Sequence, residues 1–391
     1  MRNNYLINTP SEQSKNLQCM VFAFFGYLML AIGGLGLGQE IDFIRIAVAP
    51  IWVIAFLIMI IPIHSMHLRM PISIICFYIL VSFYLLFQLM RSEEINLALV
   101  KIDGFLLSGL SIFIIWRYGI SKYADHFIDS IIRVSAFILI LTILYKLNFG
   151  FWDRGTRFFL NGPNVYGWMM ALAGVLSFYR YFQTNYIYYI YYFIIFLLAI
   201  LWTSSKRPFI ALIGGIFLFL MLERKVGKLL FGIIIFSGVI TFLFINDFVP
   251  DRYQAIYRLM IGTTVQADFG SIGIRQLTYN DGLKIFSEHL LFGIGIGNWD
   301  IYSSTSAQYG SLTYPHNIII EILAEHGLVG MLLFGGTFVI TFWHTSRLGR
   351  TIMIMFFMCL IFSGDMEYWR FIVALPLAFI TVRHSNELIL K

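Results

Sequence analysis

The chain has 391 residues, 59% of them hydrophobic and only 12% charged, with a formal net charge of +6. Soluble domains carry roughly a quarter charged residues, so the solvent for this surface is lipid rather than water. The basic residues are scattered over short connections, which excludes a nucleic-acid surface, and three isolated cysteines (Cys19, Cys76, Cys359) give neither a disulfide framework nor metal-ligand spacing.

Residues 1–16 are polar, and the first apolar run, 17–38, is too long for a signal-peptide core and has no small-x-small cleavage site. It reads as a retained spanning helix. Further runs fall at 43–63, 70–90, 103–120, 127–147, 163–182, 186–203, 208–222, 228–246, 318–343, 351–363 and 371–383. At about 20 apolar residues per span, they predict an all-α polytopic membrane protein of about twelve transmembrane helices. It forms one bundle over 1–391, with one long connection at 247–315.

Short-loop lysine and arginine set the orientation. With the N-terminus inside, the cytoplasmic face collects Lys15, Arg69, Arg117, Lys122, Arg133, Arg180, Arg224, Lys225, Lys228, Arg347, Arg350, Arg383 and Lys391. An even number of spans then puts both termini in the cytoplasm. The outer face nevertheless keeps Arg154, Arg157, Lys206, Arg207, Arg275 and Arg370. Topology signalling gives no reason for cations there, whereas an anionic ligand does.

Near the ends of the spans, Asp129 and Arg133 stand at i and i+4 as a structural pair, and Lys101 and Asp103 would pair or snorkel. In the long outer connection Ile272, Gln276, Tyr279, Leu283, Phe286 and Leu290 follow helical spacing. They predict an amphipathic helix bearing Arg275 and Lys284. Gly293-Ile294-Gly295-Ile296-Gly297-Asn298 follows; with no strand before it and no βαβ unit around it, it reads as a backbone turn, not a dinucleotide site.

Four constellations could carry chemistry. Pro315-His316-Asn317 opens the run at 318–343, with proline suited to a first helical turn and His316 beside free backbone N–H groups. Asn317, Glu321 and Glu325 share one face of that helix, where carboxylates need partners, expected among the outer-face arginines. His316 would act as general base or merely cap the helix. Thr203-Ser204-Ser205-Lys206-Arg207-Pro208 is either a charged turn or a diphosphate cradle at a helix start. Trp152-Asp153-Arg154-Gly155-Thr156-Arg157, continuing to Asn161-Gly162-Pro163-Asn164, suits a sugar phosphate, although interfacial aromatics occur without ligands. The last, Gly364-Asp365-Met366-Glu367-Tyr368-Trp369-Arg370, mixes acids with one arginine.

These residues resemble the O-antigen ligase/polymerase family. His316-Asn317, with Gly327 eleven residues after the histidine and then Gly330, looks like the family's histidine motif. Arg275 in Gly273-Ile274-Arg275-Gln276-Leu277 resembles its long-loop arginine, and Gly293 to Trp299 its glycine-rich turn. Lys206-Arg207-Pro208 resembles the arginine that opens a central helix, and Asn161 to Asn164 a polar turn. The likeness runs from about 150 to 380; before that, only hydrophobic spans match.

The resemblance implies an inverting, metal-independent glycosyltransferase of the bacterial inner membrane, using no cofactor and facing the periplasm. Its donor would be an oligosaccharide on undecaprenyl diphosphate, and a chain-length regulator and a flippase of the same pathway would be partners. Arg275 and Arg207 would hold the diphosphate and His316 would take the acceptor proton. Lys206, Arg154, Arg157, Asn161, Asn164, Asn317, Glu321 and Arg370 would bind substrate. Many ligases carry Arg-x-x-x-Leu at the central helix; here Pro208-Phe209-Ile210-Ala211 follows Arg207, which favours an O-antigen polymerase over the ligase that transfers polymer to lipid A-core. A transporter or flippase of lipid-linked sugars is the alternative of another class, disfavoured by the lack of an internal repeat and by charges gathered at one face.

Overall fold

A computed structural model describes residues 12–32, 71–152, 162–225, 227, 266–310 and 314–380. Within them the chain is mostly helical and forms no strand, only an isolated bridge between Thr345 and Ile380. The all-α class therefore holds. The runs at 43–63 and 228–246, with Arg154, Arg157 and Asn161, lie outside the described residues. The twelve-span topology stays an expectation.

Helix α1 (Glu12–Ile32) packs along α4 (Gly109–Phe149), and between them in sequence come α2 (Ile72–Leu89) and α3 (Ile95–Asp103). Three described segments are long and apolar enough to cross a membrane: Ile72–Leu89, Ile95–Asn148 and Ile318–His344. In α2 the buried residues Ile74, Val81, Tyr84, Leu85 and Gln88 form one stripe, while Ile79, Phe83 and Leu86 are exposed. An apolar face left outward in this way suits lipid. The expected spans at 103–120 and 127–147 appear as a single helix broken at Tyr123, whose φ of −145° and ψ of 49° are not helical.

Helix α5 (Gly162–Thr184) is central, buried from Val165 to Ser177. It packs against α6 (Tyr188–Trp202) and α7 (Lys206–Leu222). Gly167 lies against Pro208 and Gly174 against Leu212, so small residues let the backbones approach. Asp129 does not pair with Arg133 as the spacing suggested. It accepts from Arg180 Nε at 2.9 Å and Nη2 at 3.1 Å, and from the Tyr189 hydroxyl at 2.7 Å. A bidentate guanidinium from a neighbouring helix outcompetes a same-helix partner on the surface.

The long connection holds α8 (Gln266–Glu288) and two short turns, α9 (Trp299–Tyr302) and α10 (Ser304–Tyr309). Its helix forms as the periodicity predicts, but the buried face differs: Thr278, Gly282 and Ile285 face inward, while Leu283 and Leu290 are exposed. The cause is steric. Gly282 sits against Ile320 and Trp299, a close approach that a larger side chain would forbid.

The chain then enters α11 (Ile318–Glu321), a π-helical turn at Ile322–His326, and α12 (Gly327–His344), followed by α13 (Arg347–Ser363). The last expected span, 371–383, is not a continuous helix. It breaks into α14 (Trp369–Ile372) and α15 (Ala374–Ala378), buried on all sides. Pro376 lacks a donor, and side chains satisfy carbonyls that the break exposes: Thr345 Oγ1 donates to Pro376 O at 2.7 Å and Arg117 Nη1 to Ile380 O at 2.6 Å.

Candidate active site

The site is built on a deliberate interruption of the helix that begins at Ile318. The π-turn and Gly327 release the carbonyls of Ala324 and Glu325, which accept from Ile294 N and Gly295 N, each at 3.0 Å. In return Leu328 N donates to Leu290 O at 2.9 Å and Val329 N to Leu291 O at 3.1 Å. Non-helical backbone at membrane depth is tolerable only when protein satisfies it in this way. Gly327 has φ +64° and ψ −161°, and a Cβ there would collide with the backbone of Leu291 and Gly293. Gly330 gives way to the His326 side chain. Both glycines of the histidine motif are thus explained by packing. The glycine-rich stretch at 293–297 is a turn, as its composition suggested, with positive φ at Gly293, Gly295 and Gly297.

Glu321 and Glu325 are fully buried, and their partner is not an outer-face arginine. Lys101 Nζ, from α3, donates to Glu321 Oε1 at 2.5 Å and to Glu325 Oε1 at 2.8 Å. The remaining carboxylate oxygens accept from backbone: Met366 N to Glu321 Oε2 at 3.0 Å and Gly297 N to Glu325 Oε2 at 3.1 Å. Glu321 is therefore engaged inside the protein rather than open to a ligand. A lone carboxylate there would be costly, and a shared ammonium offsets that cost.

Just outside this network stands His316. The helix does not start at Pro315: Asn317 is the N-cap, its Oδ1 accepting from Ile319 N at 2.9 Å and Ile320 N at 3.2 Å. Asparagine is the stronger cap, so it takes that role and His316 lies outside the helix. His316 has φ +61°, a left-handed conformation uncommon for a residue with a Cβ. The turn meets Thr278 of α8, whose hydroxyl proton is shared between Pro315 O at 3.1 Å and Arg275 O at 2.9 Å. Tyr314 packs edge-on against the imidazole, with centroids 4.5 Å apart.

The same helix brings Arg275 up to the turn, and α7 brings Arg207 from its first turn. Both guanidinium groups act on His316 electrostatically, and on each other. Burial first, then Arg275 and Arg207, lower the pKa of His316 to about 4, against a smaller opposing effect of Asp365. The imidazole is thus neutral at physiological pH. Its Nδ1 is buried with no hydrogen-bond partner among the described residues. Arg207, Arg275 and His316, from distant parts of the chain, are near enough to act on one another electrostatically: two cations and a neutral imidazole. That arrangement can bind a diphosphate and accept or orient a hydroxyl proton.

Other predicted residues fall into place unevenly. Asn164 Oδ1 accepts from Ser205 Oγ at 2.9 Å, joining the first turn of α5 to the turn before α7. Lys206 is half-buried in the first turn of α7, beside Arg207. Arg370 is buried, donating to Leu30 O at 3.1 Å and Glu367 O at 2.6 Å, so most of its donors serve the fold. Asp281 was overlooked. It accepts from Ser303 Oγ, Ser304 Oγ, Thr305 N and Thr305 Oγ1 at 2.6–2.9 Å and clamps α8 to α10. Its spacing six residues after Arg275, followed by a Ser-Ser-Thr run, was the available signal.

No curated protein matches the chain. Residues 191–335 match the family model described as O-antigen ligase. That stretch holds Arg207, Arg275, His316, Gly327 and Gly330. Over residues 191–335 the chain is thus similar to the O-antigen ligase family, which supports the likeness to the O-antigen ligase/polymerase family.

Proposed function

We propose that this protein is an O-antigen polymerase, joining undecaprenyl-diphosphate-linked oligosaccharides on the periplasmic face of the bacterial inner membrane. The observation that carries the reading is the meeting of Arg207, Arg275 and His316 inside the matched domain. An acceptor hydroxyl attacks the anomeric carbon from the face opposite the diphosphate. The new C–O bond forms as the bond to the diphosphate oxygen breaks, and the configuration inverts. Arg275 and Arg207 stabilise the charge that grows on the leaving diphosphate. His316 takes the proton lost by the acceptor.

The low pKa of His316 bears on this step. A pKa of about 4 makes a free imidazole but a weak base. A bound diphosphate would offset the two guanidinium charges and raise His316 towards its ordinary value, so the base gains strength when the donor is in place. Asp365 supports the same direction. Asn164, with the turn it holds, and Lys206 would line the sugar side, with Asn317 flanking; Arg370 and Glu321 would shape the site from behind.

The second reading, ligase, transfers a finished glycan to lipid A-core, and the family description favours it as directly. A deletion strain separates the two. Lipopolysaccharide with core bearing one repeat means a lost polymerase; bare core means a lost ligase; a normal ladder contradicts both.

A further inference from the structure

Lys101 lies outside the matched domain, on α3, and is fully buried. Its two carboxylate partners each reach onward. Through Glu321 it holds Met366 N, the residue after Asp365, and Asp365 acts electrostatically on His316. Through Glu325 it holds Gly297 N, in the turn that leads to α9 and α10. From α10, Ser304 and Thr305 clamp Asp281 on α8, six residues after Arg275 on the same helix. The two arms therefore end in two different segments. One steadies the segment whose Asp365 acts electrostatically on His316, and the other steadies the helix that carries Arg275 and, through Thr278, reaches the His316 turn.

A purely structural role would not need this arrangement. A buried ion cluster contributes little net stability compared with apolar residues of the same volume, so its retention points to geometry. A single ammonium that grips two carboxylates, each of which grips a different loop, fixes the loops relative to one another. We propose that Lys101 is a positioning residue: with Glu321 and Glu325 it sets the relative placement of Arg275, His316 and the Asp365 segment. This rests on the glycosyl-transfer reading for its catalytic consequence, but not for its geometric one.

Two variants test it, Lys101→Met and the neutral triple Lys101→Met/Glu321→Gln/Glu325→Gln, in full-length protein in lipid nanodiscs. The single variant leaves two buried carboxylates unpaired and is expected to unfold more easily. The triple removes that charge imbalance and regains native thermal stability. In the folded triple, glycan transfer from an undecaprenyl-diphosphate-linked oligosaccharide falls tenfold or more in kcat, with KM for the donor changed less than threefold. If the triple does not fold, Glu321→Gln alone, which keeps Lys101 paired with Glu325, is expected to lose threefold or more in kcat.

The geometric half has its own readout. Diethyl pyrocarbonate reacts with neutral imidazole, so the ratio of His316 modification rates at pH 5.5 and pH 8, followed by mass spectrometry, reports its protonation and cancels accessibility. Wild type gives a ratio near one; a displaced Arg275 lets the ratio drop several-fold in the variants. Native kcat together with a native ratio in any folded variant overturns the proposal. Absence of transfer by wild type overturns the functional reading alone, because the modification ratio still decides the positioning role.

Discussion

The hydroxyl of Thr278 shares its proton between Arg275 O at 2.9 Å, on its own helix, and Pro315 O at 3.1 Å, which links the helix that carries Arg275 to the turn that carries His316. Thr278 is fully buried, and no motif marks it. A net contribution of about 1 kcal/mol is ordinary for such a bond. Thr278→Val keeps the shape and removes the donor. Turnover is expected to fall several-fold while the amount of membrane-inserted protein stays the same. An unchanged rate would mean that the turn is held by other contacts.

Gly327 has no tolerance for a side chain. Its φ of +64° combined with ψ of −161° is strained for any other residue, at about 1–3 kcal/mol, before the clash with Leu291 and Gly293 is counted. Gly327→Ala is therefore expected to lower the thermal midpoint in detergent by many degrees and to cut expression. Gly335→Ala is the control, since a Cβ there meets nothing within 4 Å. Its melting should match wild type.

His316 supplies a pH signature. Burial, Arg275 and Arg207 hold its pKa at about 4, so the acid limb of kcat/KM, which reports the free enzyme, should lie near that value. The limb of kcat should lie higher, because a bound diphosphate offsets the guanidinium charges. Removing one cation has the same sign: in Arg275→Ala, titration of His316 followed by chemical modification should move up towards the ordinary value near 6.5. A downward shift would contradict the electrostatic account.

Asp281 tests the long loop separately from the chemistry. Burial raises its carboxyl, but the hydrogen bonds from Ser304, Thr305 and Ser303 outweigh burial and hold it below the usual carboxylate range. A depressed folded pKa contributes stability above the unfolded value of about 3.9, lost as pH falls below it. Asp281→Ala should therefore lower the thermal midpoint more at pH 7 than at pH 3. Equal destabilisation at both values would argue against the charged form as the clamp.

Much of this was legible in the residues. Composition gave the membrane class, and apolar run lengths located α2, α5, α6, α7, α13 and the stretch from α11 to α12 within a few residues. His316, Arg275 and Arg207 stood out because cations and an imidazole on an apolar chain need a reason. The rest depended on pairings that a single chain cannot announce. Lys101 looked like a snorkelling residue at the end of a span, since nothing in its neighbourhood shows that Glu321 and Glu325 come to it from more than two hundred positions away. Likewise Asp129 has a plausible partner four residues on, yet the guanidinium that reaches it belongs to Arg180 on another helix. The inward face of α8 was misread because small residues, Thr278 and Gly282, mark close approach where a hydrophobic count sees a gap.

The central claim is that Arg207, Arg275 and His316 work as one site, and His316→Ala in a deletion strain tests it most directly. The variant should reach the membrane at wild-type level and leave lipopolysaccharide without its polymer ladder, as should Arg275→Ala and Arg207→Ala. A full ladder from well-expressed His316→Ala protein would contradict the account.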